Sequence, residues 1–223
     1  MLFLGRSATI FRMTNNAPDP LDDDRRDVQL MLALKEQDAL ALEELMTRNQ
    51  GKVASILYHF LGSGCLAEDL TQEVFMHVYR ARTTYEPTAR FSTWLFKIVY
   101  NVALNALRTE RRHPEKSFSA ARGTDRSGEY PSFEESILEK SGLIPTRLVE
   151  KEELQKIVRA AVDALPKRQS MAIFLHRFEG MSYQEIAEVM NLSASAVKSL
   201  LCRARLSLRE RLAPYFEEGD NPL

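Results

Sequence analysis

Cysteine is scarce in this chain of 223 residues, and common catalytic and metal-binding motifs are missing. Cys65 and Cys202 lie far apart, and neither belongs to a Cys-x-x-Cys pair, which argues against a zinc site or a disulfide framework and favours the cytoplasm. The four histidines are scattered without a His-Glu-x-x-His motif, and no glycine-rich loop is present to hold a phosphate. We therefore expect no catalytic residues, no metal and no cofactor.

Long hydrophobic runs are also missing. Residues 1–4 are too short for the apolar region of a signal peptide, and no uncharged apolar stretch is long enough to span a bilayer. No alternation typical of strands occurs, whereas apolar residues recur at helical spacing along most of the chain. The sequence predicts an all-α protein of two small helical domains joined by a flexible linker, without membrane insertion.

The net charge of -1 conceals a strong segregation of charge along the chain. Residues 19–27 hold five aspartates and two arginines, whereas basic residues gather near residues 108–112 and 198–211. Local charge is therefore a better guide to the partners of this protein than its net charge.

Residues 180–205 predict two short helices joined by a tight turn. Ser182 and Glu185 form a capping box that fixes the start of the first helix, and Asn191 tolerates the left-handed conformation needed to leave it. Ser193 can cap the second helix, in which five cations stand against a single anion up to residue 213. This is the geometry of a helix-turn-helix, whose second helix enters the DNA major groove. An ordinary helical hairpin is the alternative, and it rarely combines these features.

The spacing of apolar residues in the N-terminal part of the chain predicts a disordered extension followed by a helical domain. Residues 1–20 show no amphipathic period, so a disordered extension is expected over residues 1–26, and Met13 is an alternative start of translation. From residue 27 to residue 113 the apolar spacing is helical, with loops expected at Lys35–Asp38 and Asn49–Gly51.

Two longer helices of this domain carry distinctive surfaces. The helix predicted over Leu66–Arg82 places charged residues on its outer side, for which a solvated face is the plain explanation. After a break at Thr83–Arg90, a helix from Ser92 to Arg112 interleaves aromatic residues with cations. Bases stack on aromatic rings while cations follow the phosphates, so this pattern favours single-stranded nucleic acid, although aromatic residues on a helix more often belong to the core.

The composition shifts to serine, glycine, proline and charge after residue 113, which predicts a linker over residues 114–147 with one helical turn at Phe133–Lys140. The second domain is expected over residues 148–213. It begins with an amphipathic helix, and Pro166 is suited to be the first residue of the next helix. The helix-turn-helix completes a four-helix bundle, and residues 214–223 form an acidic tail.

Three motifs together resemble the extracytoplasmic-function sigma factors of bacterial RNA polymerase. They are Ala67–Phe75, Phe91–Asn101, and Ala164–Pro166 followed by Gly180–Arg205, in the order that the family has. The resemblance implies a transcription initiation factor that directs core RNA polymerase to the promoters of a stress or envelope-response regulon. It also implies core polymerase, promoter DNA and an anti-sigma factor as partners.

The resemblance implies roles for individual residues as well. The helix at Leu66–Arg82 would dock on the clamp coiled coil of the largest polymerase subunit through Asp69, Gln72 and Glu73. The following loop and helix would hold the opened minus-ten strand through Arg90, Phe91, Lys97, Asn101, Arg108, Arg111 and Arg112. The second domain would bind the minus-thirty-five element through Ser195, Lys198, Ser199, Cys202, Arg203, Arg205 and Arg209.

Within that last set the family pattern places Lys198, Ser199, Cys202 and Arg203 at base edges and the two remaining arginines at phosphates. Two positions depart from the family. Leu200 stands where many members carry arginine, which removes one cation, and the Cys202 thiol is a weak reader of bases.

Two other functions are compatible with parts of the sequence. A dimeric helix-turn-helix regulator with an N-terminal sensor domain would need neither the Asp69, Gln72 and Glu73 face nor the helix that carries Trp94. An enzyme with an attached DNA-binding module would need a catalytic cluster that the sequence does not suggest. Purification with core polymerase would favour the sigma-factor hypothesis over both.

Overall fold

The computed structural model describes residues 20–61, 64–112 and 151–215, and these residues form helices without strands. The first four helices are α1 (Pro20–Lys35), α2 (Ala39–Leu61), α3 (Gly64–Ala81) and α4 (Phe91–Arg112). They are followed by α5 (Lys151–Asp163), α6 (Lys167–Arg177), α7 (Tyr183–Met190), α8 (Ala194–Leu212) and a 3-10 turn at Ala213–Tyr215. The all-α prediction is confirmed for the described part of the chain.

Helices α1 to α4 pack into one group around a shared apolar core. Helix α1 contacts α2 and α4, while α2, α3 and α4 contact one another. Each helix contributes residues that are fully buried, among them Met31, Leu57, Val74 and Val99. These are residues that recur at helical spacing in the sequence, so each helix buries its apolar face against its neighbours in the group.

Two boundaries in this group differ from the sequence prediction. Helix α1 begins at Pro20 and not at residue 27, and a proline is well suited to the first turn of a helix. The loop predicted at Asn49–Gly51 was wrong, because α2 runs through it without a break. Asn49 is buried there, and its Nδ2 donates to the carboxylate of Asp27 at 3.2 Å and to the carbonyl of Leu45 at 3.1 Å. This tertiary contact outweighs the loop tendency of asparagine.

The segment between α3 and α4, residues 82–90, is called the α3–α4 loop. Its Tyr85 points inward and is 3% exposed. The ring centroid of Tyr85 lies 4.9 Å from that of Trp94 and 6.3 Å from that of Phe91. Aromatic contacts of this kind fix the loop against the start of α4.

Helices α5 to α8 form the second group, in which α8 contacts each of the other three. Pro166 was predicted to be the first residue of α6, but it is the N-cap, with an extended ψ of 136°, and the helix begins one position later at Lys167. After α6 the chain turns at Gly180, whose φ of 63° is in the left-handed region that glycine adopts without strain.

The two groups also contact each other, because α4 packs against α7 and α2 against α6. Their buried apolar residues form one continuous cluster. Arg168 on α6 lies close enough to Tyr100 on α4 for its charge to offset part of the rise that burial causes in the pKa of the Tyr100 hydroxyl. The predicted linker over residues 114–147, including its helical turn, lies outside the described residues, as do residues 216–223 of the predicted tail.

Candidate nucleic-acid interface

The predicted helix-turn-helix is formed by α7 and α8. The Ser182 hydroxyl accepts from the amide of Glu185 at 3.3 Å, and the Glu185 carboxylate accepts from the amide of Ser182 at 2.8 Å, which completes the capping box. Asn191 ends α7 with φ 53° and ψ 54°, in the left-handed region. Ser193 then caps α8 by accepting from the amide of Ala196 at 3.2 Å. These local predictions are confirmed residue by residue.

Helix α8 has a packed side and an open side. Val197, Leu201, Ala204 and Leu212 are buried against the other helices of the second group. All seven residues predicted to bind the minus-thirty-five element are exposed: Ser195, Lys198, Ser199, Cys202, Arg203, Arg205 and Arg209. The open side of α8 therefore has the positive charge that a helix needs in the major groove.

Hydrogen bonds within α8 restrict what two of these residues offer to DNA. The Ser199 hydroxyl donates to the carbonyl of Ser195 at 3.0 Å, which leaves its oxygen to act as an acceptor. The Ser195 and Ser193 hydroxyls lie 3.0 Å apart and share a hydrogen bond. The sequence pattern did not single out Leu206, whose side chain is 56% exposed on this helix.

Helix α4 carries the second cationic surface. Lys97, Asn101, Arg108, Arg111 and Arg112 are all exposed. The spacing of four between Lys97 and Asn101, and again between Arg108 and Arg112, puts each pair on one side of the helix. From Lys97 to Arg112 the surface extends about 22 Å along the axis. We call these five residues the α4 surface.

Phe91 and Arg90, which were predicted to join this surface, are less accessible. Phe91 is 1% exposed because its ring packs against those of Tyr85 and Trp94. A direct contact between Phe91 and DNA would require this cluster to open, so in this conformation the residue contributes packing. The side chain of Arg90 is 32% exposed, and its Nη1 contacts the Glu185 carboxylate at 3.4 Å.

Sequence reasoning missed Asp24, which anchors the start of α4. Its two carboxylate oxygens accept from the amides of Phe91 at 3.1 Å and Ser92 at 2.9 Å. The aspartate-rich run around it was interpreted as part of a disordered extension. No local spacing could have revealed the contact, because the partners lie more than sixty residues apart in the chain.

Helix α3 presents a surface of a different kind. Asp69, Gln72 and Glu73 are exposed as predicted, and so are Met76 at 50% and Tyr79 at 39%. We call these five residues the α3 face. The carboxylates would repel phosphates, while the two large apolar side chains favour burial in a protein interface. The α3 face therefore suits a protein partner and not a nucleic acid.

The chain is similar along its length to known transcription factors. The family model for Sigma-70 region 2 matches residues 45–113, and the model for Sigma-70, region 4 matches residues 155–208. The ECF RNA polymerase sigma-E factor of Escherichia coli is 33% identical over 190 residues, which are 85% of this chain and 96% of that protein. The RNA polymerase sigma-H factor of Pseudomonas aeruginosa is 30% identical over 194 residues, which are 87% of this chain and 97% of that protein.

The chain belongs to the extracytoplasmic-function sigma factors. Two solved structures agree with this fold. The first is CnrH in complex with the cytosolic domain of CnrY, with a TM-score of 0.58 at 22% identity, covering 85% of this chain and 98% of that chain. The second is the sigma factor RpoE in complex with the anti-sigma factor NepR from Bartonella quintana, with a TM-score of 0.55 at 21% identity, covering 77% of this chain and 96% of that chain.

As a sigma factor, this protein directs core RNA polymerase to specific promoters and initiates transcription there. Its partners are therefore core polymerase and promoter DNA. Within the described ranges no helix has the length and apolar character to cross a membrane. Among the same residues, no three histidine, cysteine, aspartate or glutamate side chains are grouped to hold a metal ion.

Proposed function

We propose that this sigma factor divides promoter recognition between two domains, the first from the start of α1 at Pro20 to residue 113 and the second over residues 148–213, joined by residues 114–147. The first would bind core polymerase and open the minus-ten element. The second would bind the minus-thirty-five element. The observation that carries this proposal is the pair of exposed cationic surfaces on α4 and α8, which lie in different helical groups.

The α4 surface would hold the non-template strand of the minus-ten element after the duplex opens. Unstacking a base costs about a few kcal/mol, which contacts to the extruded base and neutralised phosphates must offset. Lys97 and Asn101 lie nearest the start of α4 and would act on the strand, while the three arginines at its end would neutralise phosphates. Arg90 would contribute through N–H groups that Glu185 does not bind, and Phe91 would contribute only after leaving its aromatic cluster.

The open side of α8 would bind the minus-thirty-five element. Lys198, Ser199, Cys202 and Arg203 lie in the half of the helix that enters a major groove first, so they would face base edges. Arg205 and Arg209 would contact phosphates. Arginine can bind a guanine edge with two hydrogen bonds, which makes Arg203 the strongest candidate for reading a base.

The α3 face would dock on the clamp coiled coil of the largest polymerase subunit through Asp69, Gln72 and Glu73. Met76 and Tyr79 extend this face, and the guanidinium of Arg82 lies 3.9 Å from the centre of the Tyr79 ring. An acidic face with an apolar centre is complementary to a helical partner that offers both cations and apolar side chains.

Regulation would follow the pattern of related complexes. The RpoE structure contains an anti-sigma factor, and we propose that a protein of this type binds this chain in the cytoplasm and controls a stress or envelope-response regulon. A dimeric regulator with a sensor domain is not favoured, since both family matches are to sigma-factor regions. No residue is proposed to catalyse a reaction.

The test is run-off transcription with purified core polymerase on a library of random upstream sequences. The proposal predicts transcripts only when this chain is added, from templates that share two elements separated by a fixed spacer. Transcription from templates that share a single element would contradict the division between two domains. A chain that neither binds core polymerase nor supports any transcript would contradict the function itself.

A further inference from the structure

Helix α1 contacts both the α3–α4 loop and the start of α4 that follows it. At the α4 end, the Asp24 carboxylate accepts from the amides of Phe91 and Ser92 at 3.1 and 2.9 Å. Within the loop, Lys35 Nζ donates to the carbonyl of Tyr85 at 3.3 Å. Asp24 and Lys35 are about three helical turns apart, so they lie on the same side of α1.

Asp24 caps α4 from another helix, whereas most helices are capped by a residue beside their own first turn. The first amides of a helix have no partner within it, and a nearby carboxylate both accepts from them and complements the helix dipole. The Ser92 hydroxyl is adjacent but makes no hydrogen bond within the described part of the chain. The start of α4 is therefore fixed by a residue of α1, whose side chain is only 13% exposed.

This cap controls where the α4 surface is presented. Lys97 and Asn101 follow the capped residues by one to three turns, so a shift or rotation at the start of α4 moves both side chains. The same carboxylate lies 4.0 Å from Nε of Arg90, the last residue of the α3–α4 loop. One aspartate thus contacts both the loop and the helix that would bind the opened strand.

We propose that Asp24 is the positioning residue for the minus-ten surface and that Lys35 is its second anchor. Neither side chain touches DNA in this proposal. Helix α1 holds the α3–α4 loop and the start of α4 in the geometry required to bind the opened strand. This inference rests on the role proposed above for the α4 surface.

A general loss of stability must be separated from a loss of positioning, and α1 offers matched controls. Asp27 is buried on the same helix and binds Arg48 at 2.6 Å and Asn49 at 3.2 Å, contacts that tie α1 to α2 and not to α4. Asp27→Asn should therefore lower the melting temperature without moving α4. Glu44→Gln removes an exposed ion pair between Arg26 and α2 and serves as the mild control.

The experiment compares transcription by reconstituted holoenzyme from a duplex promoter and from the same promoter premelted at the minus-ten element. A premelted template has already lost its base pairs, so it tolerates a displaced α4 better than a duplex does. Asp24→Ala should lower the duplex-to-premelted ratio by about tenfold, since small displacements of a functional group are costly. Asp24→Asn keeps one acceptor, so its ratio should lie between those of wild type and Asp24→Ala. Lys35→Met should lower the ratio less than Asp24→Ala does.

A second readout reports the geometry without transcription. Hydrogen exchange at the amides of Phe91 and Ser92 should become faster in Asp24→Ala and stay slow in Asp27→Asn. If wild-type holoenzyme makes no transcript, the proposed function fails and not this inference. If Asp24→Ala and Asp24→Asn keep the wild-type ratio, Asp24 is not a positioning residue. The same conclusion follows if Asp27→Asn lowers the ratio as much as Asp24→Ala does when both variants lose the same melting temperature.

Discussion

The guanidinium of Arg90 contacts the carboxylate of Glu185 at 3.4 Å and so links the two helical groups. Each residue also has a second role, since Arg90 was predicted to bind promoter DNA and Glu185 caps helix α7. Arg90 cannot give the same hydrogen bond to Glu185 and to a phosphate. Promoter binding through this donor of Arg90 therefore competes with the contact between the groups.

The pKa of Glu185 reports whether this contact forms in solution. Burial alone would raise the pKa, but the hydrogen bonds from Ser182 and the charge of Arg90 outweigh it, so the pKa lies below its ordinary value of 4.5. Arg90→Gln should raise this pKa while the capping box remains. An NMR titration of the Glu185 carboxyl carbon in both proteins measures the change.

The direction of the pH effect follows from the lowered pKa. The stabilisation by the pair is present above about pH 4.5, and it is lost as the pH falls through the value in the folded protein. Arg26 pairs with Glu44 within the first group, so Arg26→Gln is a control that should leave Glu185 unaffected. An unchanged pKa in Arg90→Gln would mean that the two groups do not make this contact in solution.

Tyr85 should make the protein sensitive to alkaline pH. Burial, followed by the charges of Asp24 and Asp27, raises the pKa of its hydroxyl from 10 to about 12. Because the unfolded chain loses this proton first, the free energy of unfolding should fall as the pH rises from about 10 to about 12. Urea unfolding of wild type and Tyr85→Phe across this range isolates the contribution.

The same substitution should stabilise the protein at neutral pH. Among the residues that the structure describes, the buried Tyr85 hydroxyl has no hydrogen-bond partner, and such a group costs about 1–3 kcal/mol. Tyr85→Phe keeps the ring between Phe91 and Trp94 and removes the unpaired oxygen. A variant that is less stable than wild type at pH 7, with the same alkaline slope, would show that the hydroxyl is paired.

Binding to core polymerase should depend on the carboxylates of the α3 face. Asp69→Ala combined with Glu73→Ala should weaken the affinity for core enzyme, while unfolding changes by less than about 0.5 kcal/mol because both side chains are exposed. Glu36→Ala combined with Glu43→Ala removes the same charge from exposed positions elsewhere in this group. Equal affinities for the two double variants would contradict the assignment of the α3 face.

Two arginines of α8 should differ in what they contribute. Arg203→Ala should flatten the preference at one or two adjacent base pairs of the minus-thirty-five element, since a bidentate contact to guanine gives about 1–3 kcal/mol of discrimination. Arg209→Ala should weaken binding to all sequences alike and reduce the salt dependence of binding by about one phosphate contact. Holoenzyme binding to a randomised element at two salt concentrations measures both. If Arg203→Ala weakens binding to every sequence equally, Arg203 contacts a phosphate and not a base.

The sequence predicted best those features that depend on neighbouring residues. The capping box of Ser182 and Glu185 and the left-handed Asn191 follow from spacings of a few residues, so they were predictable. The exposed positions of α8 followed from helical periodicity in the same way. Motif resemblance, and not periodicity, assigned Asp69, Gln72 and Glu73 of the α3 face to polymerase.

The features that sequence reasoning missed depend on distant partners. The helical conformation of Asn49 is stabilised by Asp27, and the cap of α4 comes from Asp24. The family resemblance assigned Phe91 to DNA. An aromatic residue suits both base stacking and burial, and only the packing of Phe91 against Tyr85 and Trp94 shows which applies in this conformation. Such contacts have no signature in a single sequence.

The division of promoter recognition between α4 and α8 can be measured directly with four templates selected from the library. They combine an intact or scrambled minus-ten element with an intact or scrambled minus-thirty-five element, and run-off transcripts are counted for each holoenzyme. Lys198→Ala with Arg203→Ala should make transcription indifferent to the minus-thirty-five element and leave the minus-ten dependence. Lys97→Ala with Asn101→Ala should reduce the dependence on the minus-ten element and leave the dependence on the minus-thirty-five element unchanged. If both double variants reduce all four templates by the same factor, the two surfaces do not divide recognition and the central claim is wrong.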